Sequence, residues 1–334
     1  MIRTEILGIG GYVPEKAVTN FDIEKLLDTT DEWIQQRTGI QQRHWLQDTS
    51  MANSDFGLQA TQRALNHAQI SASEIDMIIY ATSTSDYDVP GTACILQTKL
   101  GLKPIPSLDI RQACSGFIYG LDIADKFIQS GQYKTILLIG SELQSKGLDK
   151  TPRGRNISVL FGDGAGAVIL RAREESCASR IFATQTFADG KFASELWMRS
   201  PGSANGDSRI SHDHIEQGLI YPEMNGKTVF MHAVTRMPEV LKSTCDQAKI
   251  SVQDLDILFF HQANLRINSK VAEIMNLPES KIHNTIQKFG NTTAATIPLG
   301  MSDAISCGKL QKGMLVGVAA FGAGFTWGAS VFRY

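Results

Sequence analysis

The 334 residues carry 32 basic and 34 acidic side chains, a net charge of −2, with 43% hydrophobic and 20% charged residues. That balance buries a large core, argues against a disordered chain and disfavours an extended nucleic-acid-binding surface. No run of 18 or more apolar residues occurs, so no membrane span is expected, and the five cysteines (Cys94, Cys114, Cys177, Cys245, Cys307) lack a CxxC pair, which fits a reduced cytoplasmic protein better than a disulfide scaffold or a metal site.

The opening MIRTEILGIGGYVPEK has no long apolar stretch behind a basic start and reads as neither signal nor anchor. Its Gly8-Ile-Gly-Gly11 is followed quickly by Pro14, which argues for close backbone approach and against a dinucleotide-binding turn. Helical periodicity over residues 54–68 then runs into Ile70-Ser-Ala-Ser-Glu-Ile-Asp-Met-Ile-Ile-Tyr80, a helix end leading to a buried strand. In Ser107-Leu-Asp-Ile-Arg-Gln-Ala-Cys-Ser-Gly-Phe-Ile-Tyr-Gly-Leu121 a strand pattern turns helical within a few residues and puts Cys114 near a helix N-terminus. Such a position favours thiolate over thiol, although a buried, inert thiol satisfies the same local pattern. A helix over 116–129 and a strand over 135–140 follow; Gly162-Asp-Gly-Ala-Gly166 then leads into the strand Ala167-Val-Ile-Leu-Arg171, again unlike a nucleotide loop.

Residues 199–218, RSPGSANGDSRISHDHIEQG, read as a long polar surface loop in which His212 and His214 are solvated. A helix is predicted over 234–248. Ile250-Ser-Val-Gln-Asp-Leu-Asp-Ile-Leu-Phe-Phe260 then repeats the Ile70–Tyr80 pattern, and further strands at 314–320 and 329–333 repeat those of the first half. Two similar α/β halves, 1–175 and 176–334, joined near 172–180, are therefore expected. His261 should emerge at the C-terminal end of a buried strand, just before a helix over 267–275, and open α/β sheets place ligands at such ends. Asn291, in Phe289-Gly-Asn-Thr-Thr-Ala-Ala-Thr-Ile-Pro298, fits an N-cap or Asx turn as well as an active-site amide.

Together DIRQACSGFIYGL, HQANLRI, FGNTTAATIP, TTDEWIQQRTGI, RNISVLFGDGAGA and FGAGFTWGA resemble the β-ketoacyl-[acyl-carrier-protein] synthase III family over nearly the whole chain. The resemblance implies an α/β thiolase fold: two pseudo-symmetric halves in a five-layer αβαβα arrangement, forming a homodimer. It implies an acyltransferase with Cys114 as nucleophile, His261 and Asn291 beside it, and backbone amides of Cys114 and Ala323 as an oxyanion hole. It places Trp33 and Arg155 around the adenine of coenzyme A, Thr29 and Arg37 at the nucleotide end, and Gly226, Phe230, Ala263 and Asn264 along the pantetheine. Arg266 and Lys270 would dock an acidic carrier protein.

The implied substrates are an acyl-CoA and malonyl-acyl carrier protein, with no metal, redox cofactor or nucleic acid involved. Val89, before Pro90, stands where acetyl-specific relatives carry phenylalanine and would line the partner's acyl pocket, so a primer longer than acetyl is expected. CSGFIYGL, RGRN and SPGSA are similar to a branch that condenses anthraniloyl-CoA, which leaves a secondary-metabolite or β-ketoacyl-CoA-forming role open beside fatty-acid initiation. A thioesterase sharing the nucleophile and a non-catalytic acyl-carrier-binding partner are the readings from other classes.

Overall fold

The computed structural model describes residues 2–334. Five strands, β1 (Ile2–Tyr12), β2 (Met77–Ala81), β3 (Ser107–Ile110), β4 (Thr135–Glu142) and β5 (Gly164–Glu174), form one sheet in the order β1-β5-β4-β2-β3. Four more, β6 (Arg180–Ala188), β7 (Ile257–Phe260), β8 (Leu315–Gly322) and β9 (Thr326–Arg333), form a second sheet in the order β7-β8-β9-β6. The helices that frame the site are α1 (Asp31–Thr38), α2 (Asn53–Ala68), α3 (Gly116–Gln129), α4 (Gly226–Ala248), α5 (Leu265–Ile274) and α6 (Thr296–Ser306).

Side chains alternate across a strand, so a sheet covered on both faces reads as a continuous apolar run. Ile79, Ile136 and Leu138 of the first sheet and Ile257, Phe259, Val316 and Val318 of the second point inward to one core with α3 (Phe117, Leu121) and α6 (Ile297, Met301). Their neighbours point the other way: Ile78, Tyr80 and Leu137 pack under α2, and Leu258, Phe260 and Phe321 pack under α4 and α5. The result is five layers, helix, sheet, helix, sheet, helix, with α3 and α6 in the middle.

The repeat extends through the architecture. Read from the edges, β1-β5-β4-β2 corresponds to β6-β9-β8-β7, with matching parallel and antiparallel pairings. Both outer helices end in left-handed residues, Gln69 (φ 56°) and Lys249 (φ 57°), and continue through a single 3₁₀ turn into the strand. Both central helices follow 3₁₀ turns whose first residues, Ala113 (φ 42°) and Thr293 (φ 50°), also have positive φ. The chain passes from one sheet to the other between Glu174 and Arg180.

The N-terminal glycines mark close approach: a Cβ on Gly10 would lie 2.3 Å from the Ala64 backbone nitrogen of α2. Helix α4 begins eight residues before its expected start because Asn225 caps it, and it continues through Pro238. Within the expected loop 199–218, Ser211 caps a short helix, His212–Glu216, and His214 Nδ1 lies 3.1 Å from Ser200 Oγ. No described helix is long and apolar enough to cross a membrane.

Candidate active site

The parallel pairings of β2 with β3 and β4, and of β7 with β8, bring the C-terminal strand ends of each half to the same side of its sheet. Cys114 follows β3, Glu142 ends β4, His261 follows β7 and Gly322 ends β8. These are the positions where α/β sheets collect reactive groups.

Cys114 lies on the 3₁₀ turn preceding α3 and is 8% exposed. Gly322 crosses directly behind it; a Cβ there would meet Cys114 Cβ at 2.5 Å. Burial, followed by the charge of Glu142, pushes the Cys114 thiol up to about 12, against the opposing pull of the Cys114 and Ala323 backbone amides. The thiolate expected from a helix N-terminus is therefore corrected. The α-helix itself starts only at Gly116, and the cost of desolvating a charge exceeds what the amides return.

His261 is buried, and burial pushes its imidazole down to about 3, so it is neutral near pH 7. Its Nδ1 lies 2.8 Å from Thr296 Oγ1, which in turn lies 3.0 Å from the Thr293 carbonyl oxygen, while Nε2 is buried with no partner among the described residues. The threonine hydroxyl has one proton. Given to the Thr293 carbonyl, it leaves Oγ1 to accept from Nδ1–H and leaves Nε2 a bare acceptor; given to Nδ1, it leaves the imidazole proton on Nε2.

The local Asx turn and an active-site amide coexist at Asn291. Its Oδ1 accepts from the Thr293 amide at 2.8 Å, while Nδ2 is not engaged by any described residue. Cys114, His261 and Asn291 all line one cavity of about 690 Å³. A second cavity, of about 460 Å³, also reaches Cys114, so the thiol stands at the junction of two chambers.

The 3-oxoacyl-[acyl-carrier-protein] synthase III family matches at residues 108–190, and its C-terminal unit matches at 245–334. The β-ketoacyl-[acyl-carrier-protein] synthase III of Koribacter versatilis is 41% identical over 332 residues, covering 99% of this chain and 98% of that one. The crystal structure of the Aquifex aeolicus 3-oxoacyl-[acyl-carrier-protein] synthase III, 40% identical, superposes with a TM-score of 0.89 over 99% of this chain and 100% of its own. That of Pseudomonas aeruginosa, 35% identical, does so with 0.90 over 99% and 98%. The chain belongs to this family. It is an acyltransferase with the synthase III thiolase fold.

The larger cavity runs from Cys114 past Phe230, Ala263 and Asn264 to Trp33, Arg37 and Arg266, with Gly226 at the start of α4 also on its wall. Asn264 is fixed at both ends of its amide: Nδ2 donates to the Arg37 carbonyl at 2.9 Å, and Oδ1 caps α5 by accepting from the Arg266 amide. Trp33 carries two guanidinium groups, Arg155 at 4.8 Å and Arg37 at 5.6 Å from its ring centroid. Trp33 and Arg155 thus touch each other, but Arg155, whose Nε is buried without a partner, does not line the cavity, whereas Arg153 does.

Not every expected residue reaches this cavity. Thr29 is buried behind the mouth and does not line it. Lys270 faces an outer groove beside Gln35 and Gln36 and pairs with Glu273 at 2.7 Å; Arg266 lines both that groove and the cavity. Val89 is 84% exposed and lines neither chamber of its own chain. Thr296, Glu142, Gln144 and Gly322 escaped the sequence reading, although a glutamate ending the buried run of β4 was a visible signal. Glu142 accepts from the Ser83 amide and hydroxyl and from Thr84 Oγ1, and burial raises its carboxyl to about 7.

Proposed function

We propose that the chain condenses the acyl group of an acyl-CoA primer with malonyl-acyl carrier protein, with loss of carbon dioxide, to initiate fatty acid synthesis. The observation that carries the residue assignments is the position of Cys114 at the meeting of two chambers, with His261 and Asn291 lining the larger one and Nε2 and Nδ2 of these two engaged by no described residue.

Because burial holds Cys114 as a thiol, its attack needs a proton acceptor. In the tautomer with Nδ1–H donating to Thr296, His261 Nε2 takes the thiol proton only in concert with Sγ bonding to the thioester carbonyl carbon, since an imidazole held at about 3 does not deprotonate a thiol held at about 12 beforehand. The oxyanion is held by the Cys114 and Ala323 amides. Its collapse breaks the bond to the CoA sulfur, which leaves with the proton from the imidazolium.

Before the second step the imidazole exchanges its Nδ1 proton for one on Nε2 through solvent, and the Thr296 hydroxyl turns from the Thr293 carbonyl to Nδ1, giving the other tautomer. Nε2–H and Asn291 Nδ2 donate to the malonyl thioester carbonyl. The bond to the carboxylate breaks, carbon dioxide departs, and the electron pair becomes an enolate under those two donors. The enolate carbon bonds to the acyl carbonyl carbon, the C–Sγ bond breaks, and the departing sulfur takes a proton from solvent, the first having left with coenzyme A. Decarboxylation generates the carbanion, so this chemistry needs no resident metal or redox cofactor.

Coenzyme A would lie along the larger cavity, its pantetheine against Gly226, Phe230, Ala263 and Asn264 and its adenine between Trp33 and Arg155, with Thr29 and Arg37 at the nucleotide end. Arg266 is the better placed of the two cations to meet an acidic carrier protein, because Lys270 is already paired. A homodimer is supported by the unpaired outer edge of β3 and by the exposed Tyr87, Val89 and Leu108 beside it. Across that interface Val89 would enter the partner's primer chamber, where its small size supports a primer longer than acetyl. Five free cysteines agree with a cytoplasmic setting.

Incubation with a panel of acyl-CoAs followed by intact-mass analysis tests this reading. An acyl adduct on the native protein and none on Cys114→Ala is expected; an adduct that persists in Cys114→Ala contradicts it.

A further inference from the structure

The smaller chamber is chemically mixed. Phe161, Leu196, Trp197 and Met198 give its lining apolar surface, whereas Ser83, Ser85 and Gln144 give it hydrogen-bonding groups. A chamber meant only for a saturated chain would be apolar throughout, because a polar group desolvated without a partner costs about 1–3 kcal/mol.

Most polar groups of this lining are already committed. Asn53 Nδ2 donates to Thr82, Thr84 and Ser141, and its Oδ1 accepts from the Tyr80 and Ser141 hydroxyls. Asp86 accepts from the Ser54 amide and hydroxyl, and Lys146 donates to the Met51 carbonyl. Ser83 Oγ donates to Glu142.

Gln144 is different. It is buried, and its Nε2 donates to Thr293 Oγ1 at 2.9 Å, with Ser83 Oγ at 3.5 Å on the same side. The Ser83 proton goes to Glu142, so Ser83 Oγ can only accept from Gln144. The amide stands with Nε2 toward Thr293 and Ser83 and Oε1 toward the chamber. The other end, Oε1, takes a hydrogen bond from no described residue, and Gln144 lines the chamber that reaches the nucleophile. An acceptor on the wall of an acyl chamber that takes no hydrogen bond from the protein selects for a donor on the acyl group.

We propose that the primer carries a hydrogen-bond donor, a hydroxyl or amino group, on its acyl portion, and that Gln144 Oε1 accepts from it and sets this specificity. The proposal rests on the reading of Cys114 as the acylated residue. A chamber of about 460 Å³ is large enough for a substituted chain or ring. A plain alkyl or aryl primer strands the Gln144 oxygen away from water, whereas the substituted one satisfies it.

The test compares initial rates of Cys114 acylation for matched pairs: butanoyl- and 3-hydroxybutanoyl-CoA, hexanoyl- and 6-hydroxyhexanoyl-CoA, and benzoyl-CoA and its ring-hydroxylated forms. Native protein, Gln144→Leu and the near-isosteric Gln144→Met are measured, each variant being checked for folding by its thermal melt. The expected result is at least a tenfold preference of the native protein for the donor-bearing member of one pair. Both variants should lose or invert it while keeping acylation by the plain member. Equal or greater rates for the plain member of every pair overturn the proposal, as does a preference unchanged in both variants. Failure of every acyl-CoA to modify Cys114 would instead refute the nucleophile assignment, and this inference with it.

Discussion

Replacing Gly322 by alanine probes the packing on which the site depends. The added Cβ would stand 2.5 Å from Cys114 Cβ and 3.2 Å from both its backbone nitrogen and Sγ. Carbon atoms rest at roughly 3.5–4.0 Å, so the overlap exceeds about 1 Å against an atom fixed to the backbone. Gly322 is held by its pairing with Thr326 of β9, and the Ala113–Ser115 turn packs against it, so relief requires both to shift. Overpacking of this kind costs about 1–3 kcal/mol. With an unfolding entropy of roughly 0.7 kcal/mol/K for a chain this long, Tm should fall by roughly 1.5–4 °C. Displacing the sulfur from the Ala323 amide should slow acylation by roughly 100-fold or more, the scale of one lost oxyanion donor. Gly190→Ala is the control, since a Cβ there meets nothing within 4 Å. Scanning fluorimetry and intact-mass acylation kinetics read both effects. A Gly322→Ala protein with native melting and native acylation refutes the reasoning.

Two further predictions concern His261. Its imidazole, normally near 6.5, is held at about 3, so the stability of the neutral form is fully present above pH 6.5 and is lost as pH falls toward 3. Glu142, raised from 4.5 to about 7, contributes in the opposite sense over part of this range, so the informative quantity is the difference between native protein and His261→Gln. Urea denaturation at pH 6.5 and 4.5 should show that difference moving against the native protein by about 2 kcal/mol, the slope reaching about 1.4 kcal/mol per pH unit only below pH 6.5, where the unfolded imidazole is mostly protonated; identical pH slopes in both proteins would refute the buried neutral imidazole. The second prediction is that Thr296→Val, which leaves Nδ1 without its oxygen partner, lowers condensation by at least roughly 100-fold while Thr296→Ser restores most of it. The ¹⁵N resonances of His261 should report a changed tautomer balance, and unchanged resonances with unchanged turnover would remove Thr296 from the account.

Much of this was legible in the chain because both sheets are covered on each face. Apolar runs such as Ile257–Phe260 then announce strands, and the likeness of Ile70–Tyr80 to Ile250–Phe260 announces the repeat. Strand β6 was not legible: Arg180–Ala188 is an edge strand whose outer end is half-solvated, so its apolar signal is weak. The start of α4 was hidden by its polar first turn, where an asparagine cap decides the boundary. The ionisation of Cys114 could not be read locally at all. A helix N-terminus argues for thiolate, and only the tertiary burial by Gly322 and its surroundings reverses the sign. Thr296 and Gln144 likewise gain their roles through partners distant in sequence, His261 and Ser83.

The central claim is that acyl-Cys114 is resolved by a malonyl-derived enolate. The most direct measurement is a single turnover: protein acylated on Cys114, freed of excess acyl-CoA, is mixed with malonyl-acyl carrier protein labelled with ¹³C at the free carboxylate. The account predicts one equivalent of labelled carbon dioxide and one of β-ketoacyl-acyl carrier protein for each acyl group lost from Cys114. Loss of the acyl group as free acid, with the label still on the carrier protein, would contradict it and make the protein a thioesterase.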